Sequence, residues 1–248
     1  MKIKQIVHFV LLLSISVTSC TPLRVDPPTA TSTSVPTHTP APTHTPLPTA
    51  TTTPVPATML EKQADGTWLY YDTEAGFQFQ VGQHWYLEDV SSLDITEIID
   101  RTSKITTELG LKNTPQYFLE PQGMRVLGVY LDETIPDYMS CAFNATHIVD
   151  EEFAQMPLQE VQSRVIEVLA NNYQKDPQDF NPKISANEHG LEYGVVLFNL
   201  ALNYLQLKIF FKTEDGVGMI TFGFSDKNYE TFGPDLKLVT SSLQYTNP

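Results

Sequence analysis

Hydrophobic and polar positions alternate most regularly near the end of the chain. Every second residue from 205 to 211 is large and apolar, and this period of two predicts a β-strand with one apolar face. The turn Glu214-Asp215-Gly216 and the apolar run 217–224 predict that the next strand returns as a hairpin. Before them, residues 191–200 are almost continuously apolar, as in a strand that is covered on both faces.

The preceding part of the chain shows both kinds of periodicity. Further strands are predicted at residues 67–71, 77–81, 124–131, 138–148 and 183–188. Apolar positions at helical spacing predict helices at residues 93–109 and 157–173, and at 226–243 with an interruption at Gly233-Pro234. Together these elements predict an α+β domain, in which an antiparallel β-sheet is flanked by helices on both faces as an α/β/α sandwich.

The first twenty residues have the pattern of an export signal. Lys2 and Lys4 give a basic start, and the apolar stretch 6–17 is too short to span a bilayer. The sequence Val17-Thr18-Ser19-Cys20 looks like a bacterial lipobox. This resemblance implies cleavage before Cys20 and acylation of the cysteine. Two or more acyl chains would hold the protein on a membrane durably, on its extracytoplasmic side. The alternative is an ordinary secretory signal that contains a cysteine.

A segment rich in proline and threonine follows the signal. Residues 21–58 contain 10 prolines and 13 threonines, a composition that favours extended polyproline II and forms no core. We therefore expect three parts: a signal peptide at 1–19, the lipidated cysteine with a disordered stalk at 20–58, and one globular domain at 59–248.

The charge of the predicted domain limits its partners. The whole chain has 15 basic and 29 acidic residues. Without Lys2, Lys4, Arg24 and Asp26, the domain from residue 59 keeps 12 basic and 28 acidic residues, a net charge near −16. Such a surface repels phosphate backbones and anionic lipid heads, so we expect no nucleic-acid partner.

An aromatic hairpin followed by a tryptophan opens the domain, and a hairpin followed by a helix closes it. The residues concerned are Trp68-Leu69-Tyr70-Tyr71, Gly76-Phe77-Gln78-Phe79, Trp85, Gly218-Met219-Ile220-Thr221-Phe222 and Ser242-Leu243. In this arrangement the chain resembles the PsbP, Mog1 and DcrB-like superfamily. The resemblance implies a Mog1-like or PsbP-like domain. The superfamily includes photosystem accessory subunits, a GTPase-binding protein and bacterial lipoproteins, so it implies no single activity.

Two groups of residues are candidates for binding. The first is an aromatic surface formed by Tyr70, Tyr71 and Trp85, because aromatic side chains dominate the binding energy at protein interfaces. The alternative is that these rings pack inside the domain.

The second candidate group is His147, Asp150, Glu151 and Glu152, where a strand end and a carboxylate-rich turn bring nitrogen and oxygen ligands together. The alternative is that these carboxylates only favour the start of the helix that follows. We predict no resident metal or cofactor and keep the four residues as the candidates for a metal site.

No motif in the sequence specifies a reaction. The chain has no GxSxG elbow, no HExxH helix and no P-loop, so no catalytic residue is assigned and enzyme activity is unsupported. Two functions remain open. The first is a non-catalytic binding or assembly module, tethered to the membrane, with a protein partner. The second is a carrier or hydrolase for a small apolar ligand, which requires an open pocket with converging polar groups.

Overall fold

The computed structural model describes residues 57–110, 123–132, 134, 141–201 and 203–246. Its strands are β1 Thr58–Lys62, β2 Trp68–Asp72, β3 Phe77–Val81, β4 Trp85–Asp89, β5 Met124–Tyr130, β6 Ala142–Val149, β7 Asn181–Ala186, β8 Glu192–Ala201, β9 Tyr204–Lys212, β10 Gly216–Ser225 and β11 Gln244–Tyr245. Its helices are α1 Ile95–Glu108, α2 Glu151–Gln155, α3 Leu158–Tyr173 and α4 Gly233–Ser242. The predicted start of a strand at Tyr138 lies outside the described residues.

The described strands form two antiparallel sheets. The small sheet has the order β1-β2-β3-β11, and the large sheet has the order β4-β5-β6-β10-β9-β8-β7. The predicted α+β class with antiparallel pairing is therefore confirmed. The single sheet predicted from the sequence is wrong, because the aromatic hairpin β2–β3 belongs to the small sheet. A local pattern indicates a strand but does not indicate which strand it pairs with.

The two faces of the large sheet have different covers. One face packs against the small sheet and α4, and its core includes Phe143, Ile209 and Phe222. The other face carries α1 over β5 and α3 over β8 to β10. Helices alone therefore cover one face only, whereas the prediction had helices on both faces without a second sheet.

Aromatic side chains fill the space between the two sheets. The rings of Trp85 and Phe143 each lie within 6 Å of Phe222, at centroid distances of 5.7 and 5.0 Å. Phe77 of the small sheet meets Phe211 of the large sheet edge to face at 5.1 Å. Each of these five rings is at most 2% exposed. Such pairs contribute about 0.5–1.5 kcal/mol each beyond the area that they bury.

The helix ends follow from local chemistry. At the start of α1, Asp94 and Glu97 form a capping box in which each side chain accepts a hydrogen bond from the other residue's backbone N–H. The last helical segment was predicted at residues 226–243 with an interruption at Gly233-Pro234. The structure has a 3₁₀ helix at Asp226–Asn228 and then α4 from Gly233, with Pro234 in its first turn. Proline is favoured there because the first turn needs no backbone donor.

The outer face of the large sheet is not uniformly apolar. Asn144, Thr221 and Lys208 occupy register positions side by side on β6, β10 and β9, and all three are buried. The Lys208 ammonium donates to Thr221 Oγ1 at 3.1 Å. Lys208 alternates with the apolar residues of β9, and the structure places it completely inside, where a charged group requires polar partners.

The first described residues attach β1 to two neighbouring segments. The backbone N–H and the hydroxyl of Thr73 both donate to the Ala57 carbonyl, at 2.8 and 3.0 Å. The Thr58 hydroxyl donates to Asp89 Oδ2 at 2.7 Å. The sequence pattern predicts no strand in β1, since only Met59 and Leu60 of its residues are apolar. Ala57, the residue before β1, thus lies beside the β2–β3 turn.

Candidate functional site

A cleft of about 650 Å³ opens where three segments meet. Its walls come from the turn between β2 and β3, from α2, and from the turn between β9 and β10. Five of its lining residues are acidic: Glu74, Glu151, Glu152, Glu214 and Asp215. No lysine or arginine is among the residues that line it. We refer to this feature as the acidic cleft.

The helix wall is fixed by a side-chain cap. The carboxylate of Asp150 accepts hydrogen bonds from the backbone N–H groups of Glu152 and Phe153, at 2.8 and 3.2 Å. The backbone N–H of Asp150 donates to the carbonyl of Asp215 at 2.9 Å. These bonds satisfy donors that a helix start leaves open and hold α2 next to the β9–β10 turn.

The side chain of Asp72 holds the turn between β2 and β3 in place through hydrogen bonds. This carboxylate is fully buried and accepts hydrogen bonds from the Tyr70 hydroxyl at 2.6 Å and the Ala75 backbone N–H at 2.8 Å. The Arg125 guanidinium of β5 donates to both of its oxygens, at 2.7 and 3.1 Å. Arg125 also donates to Glu74 at 2.8 Å. The cleft wall is thereby joined to the large sheet by a two-pronged ion pair.

The ionisation of this group follows from its donors. Burial raises the pKa of Asp72, but hydrogen bonds from Arg125, Ala75 and Tyr70 outweigh burial and hold that pKa below its ordinary value. Burial and the neighbouring Asp72 raise the pKa of Tyr70 far above its ordinary value. Asp72 is therefore ionised and Tyr70 is neutral at pH 7.

His147 lies behind the cleft wall. Its imidazole side chain is 4% exposed, and its Nε2 is 3.0 Å from Asp215 Oδ1 and 3.1 Å from Thr213 Oγ1. The Asp215 side chain is half exposed and lines the cleft. The histidine therefore positions one carboxylate of the cleft from inside.

The four metal candidates from the sequence do not converge. His147 contacts Asp215 and Thr213, Asp150 caps α2, and only Glu151 and Glu152 reach the cleft. In the part of the chain that the structure describes, no three histidine, cysteine, aspartate or glutamate residues are arranged to hold a metal ion. Residues 147–152 are close in sequence but have two separate structural roles. His147 makes a contact at the end of a strand, and Asp150 caps a helix.

The aromatic binding surface proposed from the sequence is mostly interior. Tyr70 is completely buried, Trp85 is 2% exposed, and Trp85 Nε1 donates to Asp235 at 3.1 Å. Tyr71 is partly exposed. Alternation along β2 places Tyr70 and Tyr71 on opposite faces. The three residues therefore form no shared surface. Tyr70 and Trp85 pack inside the domain, which was the alternative to a binding surface.

The acidic cleft favours ligands that carry positive charge. Neighbouring carboxylates repel each other, and an ammonium or guanidinium group placed between them relieves this repulsion. Two of the five have a basic neighbour outside the lining: Glu74 accepts a hydrogen bond from Arg125 at 2.8 Å, and Glu152 lies 3.4 Å from Arg164 in an exposed pair that contributes little. The cleft is suited to amines and to lysine or arginine side chains.

Sequence reasoning missed this cleft because its acidic residues come from three separate segments. Glu74, Glu214 and Asp215 lie in sequences that were interpreted only as turns. A usable signal was present, since the turn between β9 and β10 carries two adjacent carboxylates, Glu214 and Asp215, next to Gly216. A single sequence does not indicate which turns lie side by side when they are more than 130 residues apart.

The predicted anchor is outside the described residues. Cys20, the signal 1–19 and the stalk up to residue 56 are not described, and the lipobox reading stays a prediction. Among the described residues, no helix has both the length and the apolar character needed to cross a membrane.

Comparisons with known proteins were made for the whole chain. No protein-family model matches the sequence, and no curated protein matches it either. The fold is similar to the solution structure of cyanobacterial PsbP (CyanoP) from Synechocystis sp. PCC 6803, with a TM-score of 0.45 and 12% sequence identity. The similarity covers 74% of this chain and 94% of that chain. At this TM-score and identity, the similarity carries no argument about the family or the function of the chain.

Proposed function

We propose that this protein is a non-catalytic binding module, tethered to the extracytoplasmic face of a membrane by acyl chains on Cys20, that holds a basic segment of a protein partner in the acidic cleft. The observation that carries the proposal is the cleft itself. It offers about 650 Å³, five carboxylates and no basic lining residue.

The size and lining of the cleft support a peptide-like ligand. Pockets of roughly 300–1,000 Å³ hold small molecules or a few side chains. Pockets for apolar ligands are lined mainly by apolar and aromatic side chains, whereas half of the ten residues lining this cleft are acidic. The alternative, a carrier or hydrolase for a small apolar ligand, draws no support from this lining or from the ring-filled space between the sheets.

The rigidity of the walls also supports a binding role. Asp72 and Arg125 brace one wall, and Asp150 caps the helix of another. A site that is already ordered loses little conformational entropy when a ligand binds.

Charge neutralisation within the cleft tests the proposal. A variant with Glu151→Gln, Glu214→Gln and Asp215→Asn should bind a lysine-rich peptide about tenfold more weakly than the parent protein, which corresponds to about 1.4 kcal/mol. The measurement is isothermal titration calorimetry at two salt concentrations, because screening weakens such contacts.

A matched control separates the cleft from the overall charge. Glu160→Gln, Glu188→Gln and Glu230→Gln remove the same three charges from exposed positions outside the cleft. This control should bind the peptide like the parent protein. Equal weakening of both variants would mean that the peptide senses only the net charge, and the cleft proposal would be abandoned.

A separate substitution tests the anchor. Cys20→Ala removes the atom that carries the acyl chains in the lipobox reading, so the protein should move from the membrane fraction to the soluble fraction, as followed by fractionation and immunoblotting. The cleft variant described above is the control, since it should stay on the membrane. Retention of the Cys20→Ala protein on membranes would refute the lipid anchor.

A further inference from the structure

A second cavity, of about 230 Å³, lies beside the acidic cleft. Glu152, Phe153 and Met156 line it from α2 and the turn after α2, and residues of α3 line it from the other side. Glu152 also lines the acidic cleft, together with Glu151 and residues 154–155. The two cavities therefore share α2 as a wall. We refer to the second cavity as the helix groove.

The helix groove has an apolar floor. Phe153 and Met156 are half-buried and pack against the core beneath α3. Val168 of α3 is 52% exposed. It belongs to the lining residues 164, 167, 168 and 171, whose spacing places them on one face of the helix. Apolar surface in the groove is thus open to solvent and available to a ligand.

The size of the helix groove limits what it can hold. Pockets for whole small molecules have volumes of roughly 300–1,000 Å³, and the groove is smaller than these. A single apolar side chain fits such a volume and gains free energy when its surface leaves water. The groove is therefore suited to one side chain of a larger ligand.

The charges at the rim of the groove select against charged side chains. Arg164 would repel a basic side chain, and Glu152 and Glu167 would repel an acidic one. The preference is thus for a neutral apolar side chain, whereas the acidic cleft on the other side of α2 favours a cation. A ligand that fits both cavities carries one side chain of each kind.

We propose that the helix groove holds an apolar side chain of the same partner segment whose basic side chain lies in the acidic cleft. The inference rests on the proposed function, because the cleft decides where the segment lies. A helix with its side chains is about 10 Å across, and an extended chain advances about 3.3 Å per residue. The partner segment therefore carries its basic and apolar residues about three positions apart.

The shared wall makes joint binding effective. Asp150 caps the start of α2, and the backbone N–H of Met156 donates to the carbonyls of Glu152 and Phe153 at the end of α2, at 3.2 and 3.3 Å. Once the basic side chain is in the cleft, the apolar side chain meets the groove as part of the same bound segment. Its contact then adds to the affinity without a second loss of translational freedom.

Two peptides test the inference on the full chain. Both contain two adjacent lysines. One has a leucine three positions away on each side, so that either direction of binding is served, and the other has serines there. The parent protein should bind the leucine peptide about tenfold more tightly in isothermal titration calorimetry, because leucine buries apolar surface. Added salt should weaken both peptides alike and leave this ratio unchanged, since screening acts on the lysines.

Two variants locate the apolar contact. Val168→Asn removes apolar surface from the groove without changing the charge. It should bring the two dissociation constants close to each other and leave the serine peptide bound as in the parent protein. Ile99→Asn is the matched control, at a position of α1 that is 46% exposed and outside the groove. It should keep the tenfold preference for leucine.

Failure of the groove and failure of the cleft give different results. Equal binding of both peptides by the parent protein would overturn this inference and leave the proposed function intact. The same holds if Val168→Asn keeps the preference for leucine, or if Ile99→Asn loses it as well. If neither peptide binds the parent protein, the cleft holds no basic segment and both proposals are wrong.

Discussion

Asp72 and Asp235 are two aspartates near opposite ends of the β2–β3 hairpin, and their surroundings shift their pKa values in opposite directions. Asp72 receives four hydrogen bonds, two of them from a guanidinium. Asp235 receives one, from an indole. Burial raises the pKa of both carboxyl groups, and the donors reverse this effect at Asp72 only. Asp72 is fully buried and Asp235 is partly exposed, yet the pKa is lowered at Asp72, so the number and charge of the donors, rather than depth, decide the direction of the shift.

The largest expected effect comes from removing the charged donor of Asp72. Arg125→Met leaves a fully buried carboxylate without its cation and should lower the free energy of unfolding by about 3–5 kcal/mol in urea titrations at pH 7. The double variant Asp72→Asn with Arg125→Met removes both charges and should lose less than the single variant. If the double variant is the less stable one, the ion pair is not the source of the loss.

A smaller effect should follow from removing a neutral donor. Tyr70→Phe deletes the hydroxyl that donates to Asp72 and should cost about 1.5–3 kcal/mol, the range for hydrogen bonds to charged groups. Tyr71→Phe is the matched control one residue along the strand, on a partly exposed side chain, and should change stability by less than about 0.5 kcal/mol. Equal losses in both variants would contradict the assigned role of Tyr70.

The smallest expected effect is the opposite pH dependence of the two carboxylates. The folded pKa of Asp72 is lowered, so its contribution is present above the unfolded pKa and is lost as the pH falls through the folded pKa. The folded pKa of Asp235 is raised, so its contribution is present below the unfolded pKa and is lost as the pH rises through the folded pKa.

Variants at the two positions should separate these contributions. Asp235→Asn should increase stability at pH 7, because the folded pKa of Asp235 is raised, and this gain should vanish at low pH. Asp72→Asn should destabilise the protein at pH 7 and flatten the loss of stability in acid. Urea titrations at several pH values measure both. If the two variants change the pH profile in the same direction, the contrast between the carboxylates is wrong.

The sequence contained much of the strand and helix pattern. The alternation in residues 205–211 predicted β9, and the Glu214-Asp215-Gly216 turn predicted its hairpin with β10. The strands β1 and β4 were not predicted, because each ends in two charged residues that interrupt the alternation of apolar and polar positions. The separation of the strands into two sheets was not predicted either, because strand pairing depends on the topology of the whole domain.

The candidate site was less accessible to sequence reasoning. The carboxylates at residues 150–152 attracted attention because they are adjacent in the chain, and the structure divides them between a helix cap and a cleft wall. The partners that complete the cleft are turns distant in sequence. Tyr70 and Trp85 were visible as aromatics, but their burial follows from the way the small sheet closes over the large one.

The attachment of Ala57 to Thr73 has a mechanical consequence. A pull on the chain ahead of β1 is transmitted first to the Thr73 hydrogen bonds and to the bond between Thr58 and Asp89. Thr73 belongs to the turn that forms one wall of the acidic cleft. In the proposed function, tension from the tether and the load of a bound basic segment would therefore meet at the same turn, away from the aromatic interior.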